Sequence, residues 1–200
     1  MQGRFIVAGL AGALALSTGA GAADLQRAEE IVGGRCFLCH GMEGEAASAL
    51  YPRLAGQHAE YIAKQLGDFK SGKRKSDTMA GMAADLTPEE MKALGTFFEK
   101  KPATRSTSTE PDLAGVGRYI FTKGNPYSGV AACVSCHGPK GHGTPQLPRL
   151  AGQQALYLEN QLKQFNTRER NNDNAVMHSV ASKLTELERK AVADYIATLD

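Results

Sequence analysis

The pentapeptide Cys36-Phe37-Leu38-Cys39-His40 returns as Cys133-Val134-Ser135-Cys136-His137, and the two copies use all four cysteines of the 200-residue chain. Cys-x-x-Cys-His is the attachment signature of c-type haem. Two thiols on one tight turn can add to the two vinyl groups on one edge of the porphyrin, and the histidine that follows is then held beneath the iron as its proximal ligand. The feature also limits what the chain can fold into. No cysteine is left over for a structural disulfide, the usual staple of an exported protein. A redox Cys-x-x-Cys belongs in a βαβ context, which this sequence does not show, and a four-cysteine zinc site would want its pairs closer together.

The motif is embedded in a longer repeat. Pro52-Arg53-Leu54-Ala55-Gly56-Gln57 reappears as Pro148-Arg149-Leu150-Ala151-Gly152-Gln153, and Tyr61, Gln65 and Phe69 match Tyr157, Gln161 and Phe165. Farther on, Met79 matches Met177 and Leu86 matches Leu184. The register drifts by a residue or two along the way, which places short insertions in loops. The chain is read as a tandem duplication of one module of roughly 80–95 residues, an N-terminal domain over 24–101 and a C-terminal domain over 112–200. Between them, 102–111 is polar and bracketed by prolines, and is read as an extended linker.

Ahead of the first module, Arg4 precedes an apolar stretch from Phe5 to Leu16, followed by small residues through Ala23. That is the order of a secretory signal peptide, with Ala20-Gly21-Ala22 suiting a cleavage site, so 1–23 is expected to be removed. The apolar run is well short of the roughly 20 residues a spanning helix needs, and no later segment is apolar enough. The mature protein is expected in the periplasm without a spanning segment.

Apolar spacing and caps predict an all-α fold. Leu25, Ala28, Ile31 and Val32 lead into the first haem motif with helical rhythm, and Leu113, Val116, Tyr119 and Ile120 are expected to do the same before a Gly/Pro-rich insert and the second. A further helix is expected over Ala59–Phe69 and Ala155–Phe165. The last helix of each module opens on a capping box, Thr87-Pro88-Glu89-Glu90 and Thr185-Glu186-Leu187-Glu188. Behind them, Met91, Leu94, Phe97 and Phe98, and in the other module Val192, Tyr195, Ile196 and Leu199, form one buried stripe each. Modules this small are marginal alone, so a covalently attached haem is expected at the centre of each.

The second axial position decides between moving electrons and doing chemistry on a bound molecule. Methionine is expected there, on the loop before the last helix. Met79 and Met177 stand at nearly equal distances after His40 and His137 and are repeat partners, which singles them out from core filler. Met82 is a rival, but its repeat partner is Val180. Met42 is too close to His40 to reach the opposite face, and Met91 lies on the core stripe. His58, His142 and His178 share no position in the repeat and are expected in ordinary polar roles.

The residues resemble the dihaem cytochrome c4 group of class I c-type cytochromes. The likeness covers essentially the whole mature chain. It rests on both Cys-x-x-Cys-His motifs, Gly138-Pro139-Lys140-Gly141-His142-Gly143, both Pro-Arg-Leu-Ala-Gly-Gln segments, Met79-Ala80-Gly81-Met82-Ala83 and the capped last helices. It implies two tandem cytochrome c-like domains with two covalently bound haem c groups: Cys36, Cys39, Cys133 and Cys136 as attachment points, His40, Met79, His137 and Met177 as axial ligands. It further implies that the carbonyls of Pro52 and Pro148 hold the ligand histidines, and that Arg53 and Arg149 lie near the haem propionates or in plain salt bridges. The implied function is outer-sphere relay of electrons from a quinol-oxidising complex to a haem-copper terminal oxidase, by a monomer whose membrane association, if any, is peripheral.

Charge adds exclusions. The formal net charge is +2 and both modules are nearly balanced, so neither is a nucleic-acid binder. Lys73-Arg74-Lys75 is a local cationic patch before Met79, either a solvated loop or a steering patch for an acidic partner. Gly41-Met42-Glu43-Gly44-Glu45 is acidic where the second module is not, so the two haem surroundings are expected to differ. The competing functions are a dihaem peroxidase-like enzyme, which needs an open axial position that paired methionines argue against, and an electron-transfer subunit of a periplasmic dehydrogenase or oxidase complex.

Overall fold

The computed structural model describes residues 19–200. The expected leader, 1–23, lies outside the described residues except for 19–23, which open the first helix. Among the described residues there are only helices, turns and one isolated antiparallel bridge, Asn125 with Val130. None of these helices is long and apolar enough to cross a membrane.

The N-terminal module is built from α1 (Gly19–Ile31), which runs through a π-helical turn (Val32–Cys36) into α2 (Phe37–His40), then α3 (Ala59–Lys70), α4 (Asp77–Ala83) and α5 (Pro88–Glu99). The C-terminal module begins with a 3₁₀ turn (Pro111–Leu113) and continues through α6 (Ala114–Lys123), α7 (Val134–His137), α8 (Ala155–Thr167), α9 (Val176–Ala181) and α10 (Glu186–Ala197). Both expected capping boxes form, with Thr87 and Glu90 bonding reciprocally, as Thr185 and Glu188 do.

Each module has its own apolar core. The first gathers Ala28, Ile31, Val32, Ile62, Phe69, Leu86, Met91, Leu94, Phe97 and Phe98; the second gathers Ile120, Phe121, Leu158, Leu184, Val192 and Ile196. The stripe read from α5 is buried throughout; in the second module Val192 and Ile196 are buried, while Tyr195 and Leu199, the latter just past α10, are half-buried against the same core. On α6 the reading needs correction: Val116 and Tyr119 are exposed, and the buried face is Gly117, Ile120 and Phe121. The cause is a close helix crossing, since a methyl group at Gly117 would strike the Ala191 carbonyl of α10. Only the face carrying the glycine can approach that closely.

The segment between the modules is extended but held. Ser106 N donates to Ala197 O at 2.8 Å. Asp194, 3 % exposed on α10, accepts from Ser108 Oγ at 2.5 Å, Thr109 N at 2.8 Å and Thr109 Oγ1 at 2.9 Å. A buried carboxylate with three donors fixes the chain leading into α6 far better than a solvated tether would.

Candidate functional site

Both Cys-x-x-Cys-His motifs sit on one helical turn at the end of a longer approach. In the first module α1 feeds straight into it, and the π turn, closed by Phe37 N to Val32 O, accommodates Gly33-Gly34. In the second, the chain leaves α6 at Gly124 and makes a small loop, bridged by Asn125 N to Val130 O at 2.9 Å and the reverse at 3.0 Å, before reaching Cys133. None of the four cysteines is paired in a disulfide. Burial pushes Cys36 up from the ordinary thiol range and Cys133 to about 11. No cluster of three or more His, Cys, Asp or Glu that could hold a metal ion occurs among the described residues.

His40 and His137 are buried. His40 Nδ1 lies 3.0 Å from Pro52 O and His137 Nδ1 lies 3.1 Å from Pro148 O. A carbonyl can only accept, so Nδ1 carries the proton and Nε2 presents its lone pair away from the proline. Burial lowers the pKa of both rings, partly offset by the same carbonyls, and keeps them neutral as a ligand must be. The loop after each histidine is fixed in the same way: Leu54 N and Ala55 N donate to Gly44 O at 2.8 and 3.1 Å, and Leu150 N and Ala151 N donate to Gly141 O at 2.7 and 3.0 Å.

Met79 and Met177 lie not on loops but on short helices. Met79 is half-buried on α4 against the first core, with its N–H capped by Ser76 Oγ at 3.3 Å. Met177 is half-buried on α9, with its N–H on Asp173 Oδ2 at 2.5 Å. Met82, on the same helix as Met79, is exposed. The spare histidines are each hydrogen-bonded to a backbone carbonyl: His58 Nε2 to His142 O at 2.7 Å, His142 Nε2 to Asp200 O at 2.6 Å, His178 Nδ1 to Phe165 O at 3.0 Å.

The two Pro-Arg-Leu-Ala-Gly-Gln segments face each other across the module boundary. Gln153 brackets the Arg53 backbone, accepting from its N–H at 2.8 Å and donating to its carbonyl at 2.9 Å; Gln57 does the same to Arg149, both at 2.9 Å. Arg53 Nη1 donates to Gly152 O at 2.5 Å, while the Nε of Arg53 and of Arg149 are buried without a hydrogen-bond partner among the described residues. Burial lowers the pKa of both guanidiniums, and Asp200 works against this for Arg149. Buried N–H groups pointing at no acceptor are rare and call for one. Two anionic propionates are the acceptors a haem would bring, so the residues present suit the group: thiol pairs, anchored neutral imidazoles, a half-buried thioether and a free cationic donor in each module.

Sequence reasoning placed Arg74 in an exposed cationic patch, and the structure corrects this. Lys73 and Lys75 are exposed, but Arg74 is 8 % exposed and bonds across the module boundary to Tyr157 and Gln161. Its repeat partner Arg170 bonds to Tyr61 and Gln65. The repeated line Tyr61, Gln65, Phe69 on α3 thus carries interface as well as core. The signal was present, because Arg74 and Arg170 keep the register of the Tyr and Gln repeats, but a flanking lysine on each side of Arg74 masked it.

Residues 117–200 match the family model described as Cytochrome c, and residues 23–98 match that described as Cytochrome C oxidase, cbb3-type, subunit III. The chain is 39% identical over 180 residues to cytochrome c4 of Thiocapsa roseopersicina, covering 88% of this chain and 93% of that one. It is 40% identical over 207 residues to the thiosulfate dehydrogenase electron acceptor of Stutzerimonas stutzeri (strain A1501), covering 96% and 94%. Among solved structures, reduced recombinant cytochrome c4 from Pseudomonas stutzeri superposes with a TM-score of 0.83 at 32% identity, over 88% of this chain and 98% of that one. With its two helical modules and duplicated haem motif, the chain belongs to the cytochrome c4 family, electron-transfer proteins that carry two covalently bound haem c groups.

Proposed function

We propose that this cytochrome is a periplasmic relay whose two haem sites are Cys36, Cys39, His40 and Met79 in one module and Cys133, Cys136, His137 and Met177 in the other. Arg53 and Arg149 meet the propionates. When bound, haem c supplies a one-electron ferrous/ferric couple that works without making or breaking a bond to a substrate. The chain's own residues do the rest. Pro52 and Pro148 accept the Nδ1 hydrogen bond and so aim each imidazole, the buried apolar cores keep water from the sites, and Met79 and Met177 would offer the iron a thioether, which would raise the potential relative to a second histidine. The observation that carries the reading is that the whole constellation occurs twice, down to the anchored imidazole and the orphaned arginine Nε. Removal of 1–23 on export, and the boundaries 24–101 and 112–200, belong to the same proposal.

The test is a visible spectrum and redox titration of the purified holoprotein. Two haems per chain, the weak far-red band of methionine-ligated ferric haem, and two one-electron steps are expected. A high-spin spectrum that changes on adding peroxide would overturn the reading.

For partners, we infer a quinol-oxidising complex as donor and a haem-copper terminal oxidase as acceptor. The likeness to a relative named for accepting electrons from thiosulfate dehydrogenase favours a second donor of the dehydrogenase class. Mixing the oxidised protein with either purified donor and its substrate, and following haem reduction, decides between them.

A further inference from the structure

Each module sends one arginine into the other. Arg74, in the turn after α3, stacks on the Phe69 ring at 4.6 Å and donates to Gln65 Oε1 of its own module at 2.8 Å. Across the boundary it donates to Tyr157 Oη at 2.9 Å and Gln161 Oε1 at 2.8 Å. Arg170 stacks on Phe165 at 4.5 Å and donates to Gln161 Oε1 of its own module at 2.8 Å. It reaches back to Tyr61 Oη at 2.8 Å and Gln65 Oε1 at 3.3 Å. Each pairing therefore occurs twice with the roles exchanged, the mark of a two-fold, self-complementary contact.

The electrostatics of this contact are unusual. Both guanidiniums are buried, 8 % and 7 % exposed, and both donate to the same two glutamine oxygens, so like charges are held close on neutral acceptors. No carboxylate accepts directly from either one among the hydrogen bonds and ion pairs of the described residues. Two acids stand near Arg170 without bonding to it: Asp173 works through its charge to raise the Arg170 pKa, and Asp68 is reached through Asn172, where Arg170 Nε donates to Asn172 Oδ1 at 3.2 Å and Asn172 Nδ2 donates to Asp68 Oδ2 at 2.6 Å, an oxygen that Lys64 also holds. On the Arg74 side, Ser76 and Gln164 stand where the repeat has Asn172 and Asp68, so that route is missing. Burial works to raise the Tyr157 pKa, yet Arg74 and Arg170 together hold it below the ordinary phenol range, so both charges act at one point of the interface. Burying a cation with no carboxylate bonded to it costs several kcal/mol, and apolar residues would pack the same contact at less cost.

We propose that Arg74 and Arg170 are positioning residues for electron exchange between the two haems: reciprocal pins that fix one module on the other, and a shared pair of positive charges that raises both reduction potentials. This rests on the dihaem relay reading above. A fixed cation in a poorly screened interior favours the iron state with less positive charge, and a guanidinium held by both modules acts on both irons. The planar fork is needed as well as the charge, because an ammonium is a point donor and does not span Gln65, Tyr157 and Gln161 together.

Three variants of the holoprotein separate charge from orientation: R74Q, R74K and Y157F. Each is first checked for two haems, the far-red methionine band and native far-UV dichroism. R74Q lowers both midpoint potentials and slows intramolecular exchange severalfold, read by flash-initiated reduction of the half-oxidised protein. R74K keeps both potentials near wild type but slows exchange. Y157F, which removes one cross-boundary bond and no charge, slows exchange by a smaller factor with both potentials unmoved. Unmoved potentials in R74Q, or a shift confined to one haem, overturn the shared-charge half; unchanged exchange in both R74K and Y157F overturns the positioning half. If R74Q does not fold, R74K and Y157F decide the positioning half, and R170Q titrated in the same way decides the charge half. Loss of the dihaem reading itself would appear in the wild type, as missing haem or a missing methionine band, before any variant is compared.

Discussion

The two modules use different local chemistry to reach the same backbone. At three points after the ligand histidine the main chain turns into the left-handed region: Gly41, Gly44 and Ala46 in the first module have φ of 77°, 79° and 69°, and Gly138, Gly141 and Gly143 in the second have 78°, 70° and 68°. The side chains between them have little in common, acidic in one module and carrying Pro139, Lys140 and His142 in the other. What persists is the set of main-chain bonds, such as Ala46 N to His40 O and Gly143 N to His137 O, both 2.8 Å. The difference teaches that the loop's task is to deliver a proline carbonyl to an imidazole, and that composition is free wherever the backbone alone can do this.

Away from the loop the modules diverge in how they are anchored. The second carries an inserted turn after α6, tied down by Asn125 Nδ2 on Glu188 Oε1 at 2.7 Å and by Lys183 Nζ on Gly129 O at 3.1 Å. Its methionine helix begins at Ala175 with φ of 65°, where the first module has an ordinary serine cap. The repeat register slips just there, which is the structural meaning of the drift seen in sequence.

The harshest way to break the symmetry is to remove one haem. C36S/C39S and C133S/C136S are each expected to halve the haem content, measured by the pyridine haemochrome spectrum, and to abolish the cooperative unfolding of the affected module. An apo module that keeps native helical dichroism and melts cooperatively would show that its core stands without haem.

Removing one thioether is milder. M79A and M177A are each expected to lower only their own module's potential, by on the order of 0.1 V within the roughly 0.8 V that axial ligation spans, and to halve the far-red band. M82A should change neither, since Met82 is exposed. A potential that follows Met82 in place of Met79 would give that haem to the wrong methionine.

How much of this was legible beforehand depended on whether a residue's role was local. The capping boxes at Thr87 and Thr185 satisfy N–H groups within three residues, so sequence spacing reveals them. The pairing of Met79 with Met177 was visible because duplication repeats it. Their short helices were not, because α9 starts from an alanine in a conformation no propensity predicts. Val116 and Tyr119 were read as core on periodicity alone, whereas a glycine contact with Ala191, far away in sequence, chose the buried face. Arg74 was missed for the same reason: two of its partners, Tyr157 and Gln161, are set by how the modules meet.

Asp194 offers a smaller asymmetry. On α5 its place is taken by Thr96, which is half-buried and whose hydroxyl bonds to Lys92 O at 3.1 Å. Burial works to raise the Asp194 pKa, but hydrogen bonds from Ser108 and Thr109 prevail and hold it below the ordinary carboxylate range. A carboxylate depressed in the folded state contributes its stability above the unfolded value of about 3.9, and loses it as pH falls through the lower folded value. D194N is therefore expected to cost about 1–3 kcal/mol in urea unfolding at pH 7, with the gap to wild type closing below about pH 4. T96A should cost almost nothing; a gap that persists unchanged in acid would mean that Asp194 works by packing and not by charge.

The smallest effect tests the shared loop itself. Ala46 and Gly143 occupy one conformation, but an L-residue pays about 1–2 kcal/mol for left-handed backbone, while glycine gives back up to about 1 kcal/mol in chain entropy. The second module has no freedom here, because a methyl group on Gly143 would run into the carbonyls of Leu147 and Pro148, where the loop to Pro148 is one residue shorter. The first module's longer loop leaves room for Ala46 at the cost of strain. A46G is accordingly expected to stabilise the holoprotein by about 0.5 kcal/mol, a rise of roughly 1–2 °C in melting temperature, with haem content and both potentials unchanged. A lower melting temperature would mean that the Ala46 methyl contributes packing worth more than the strain, and that the two loops share a path for different reasons.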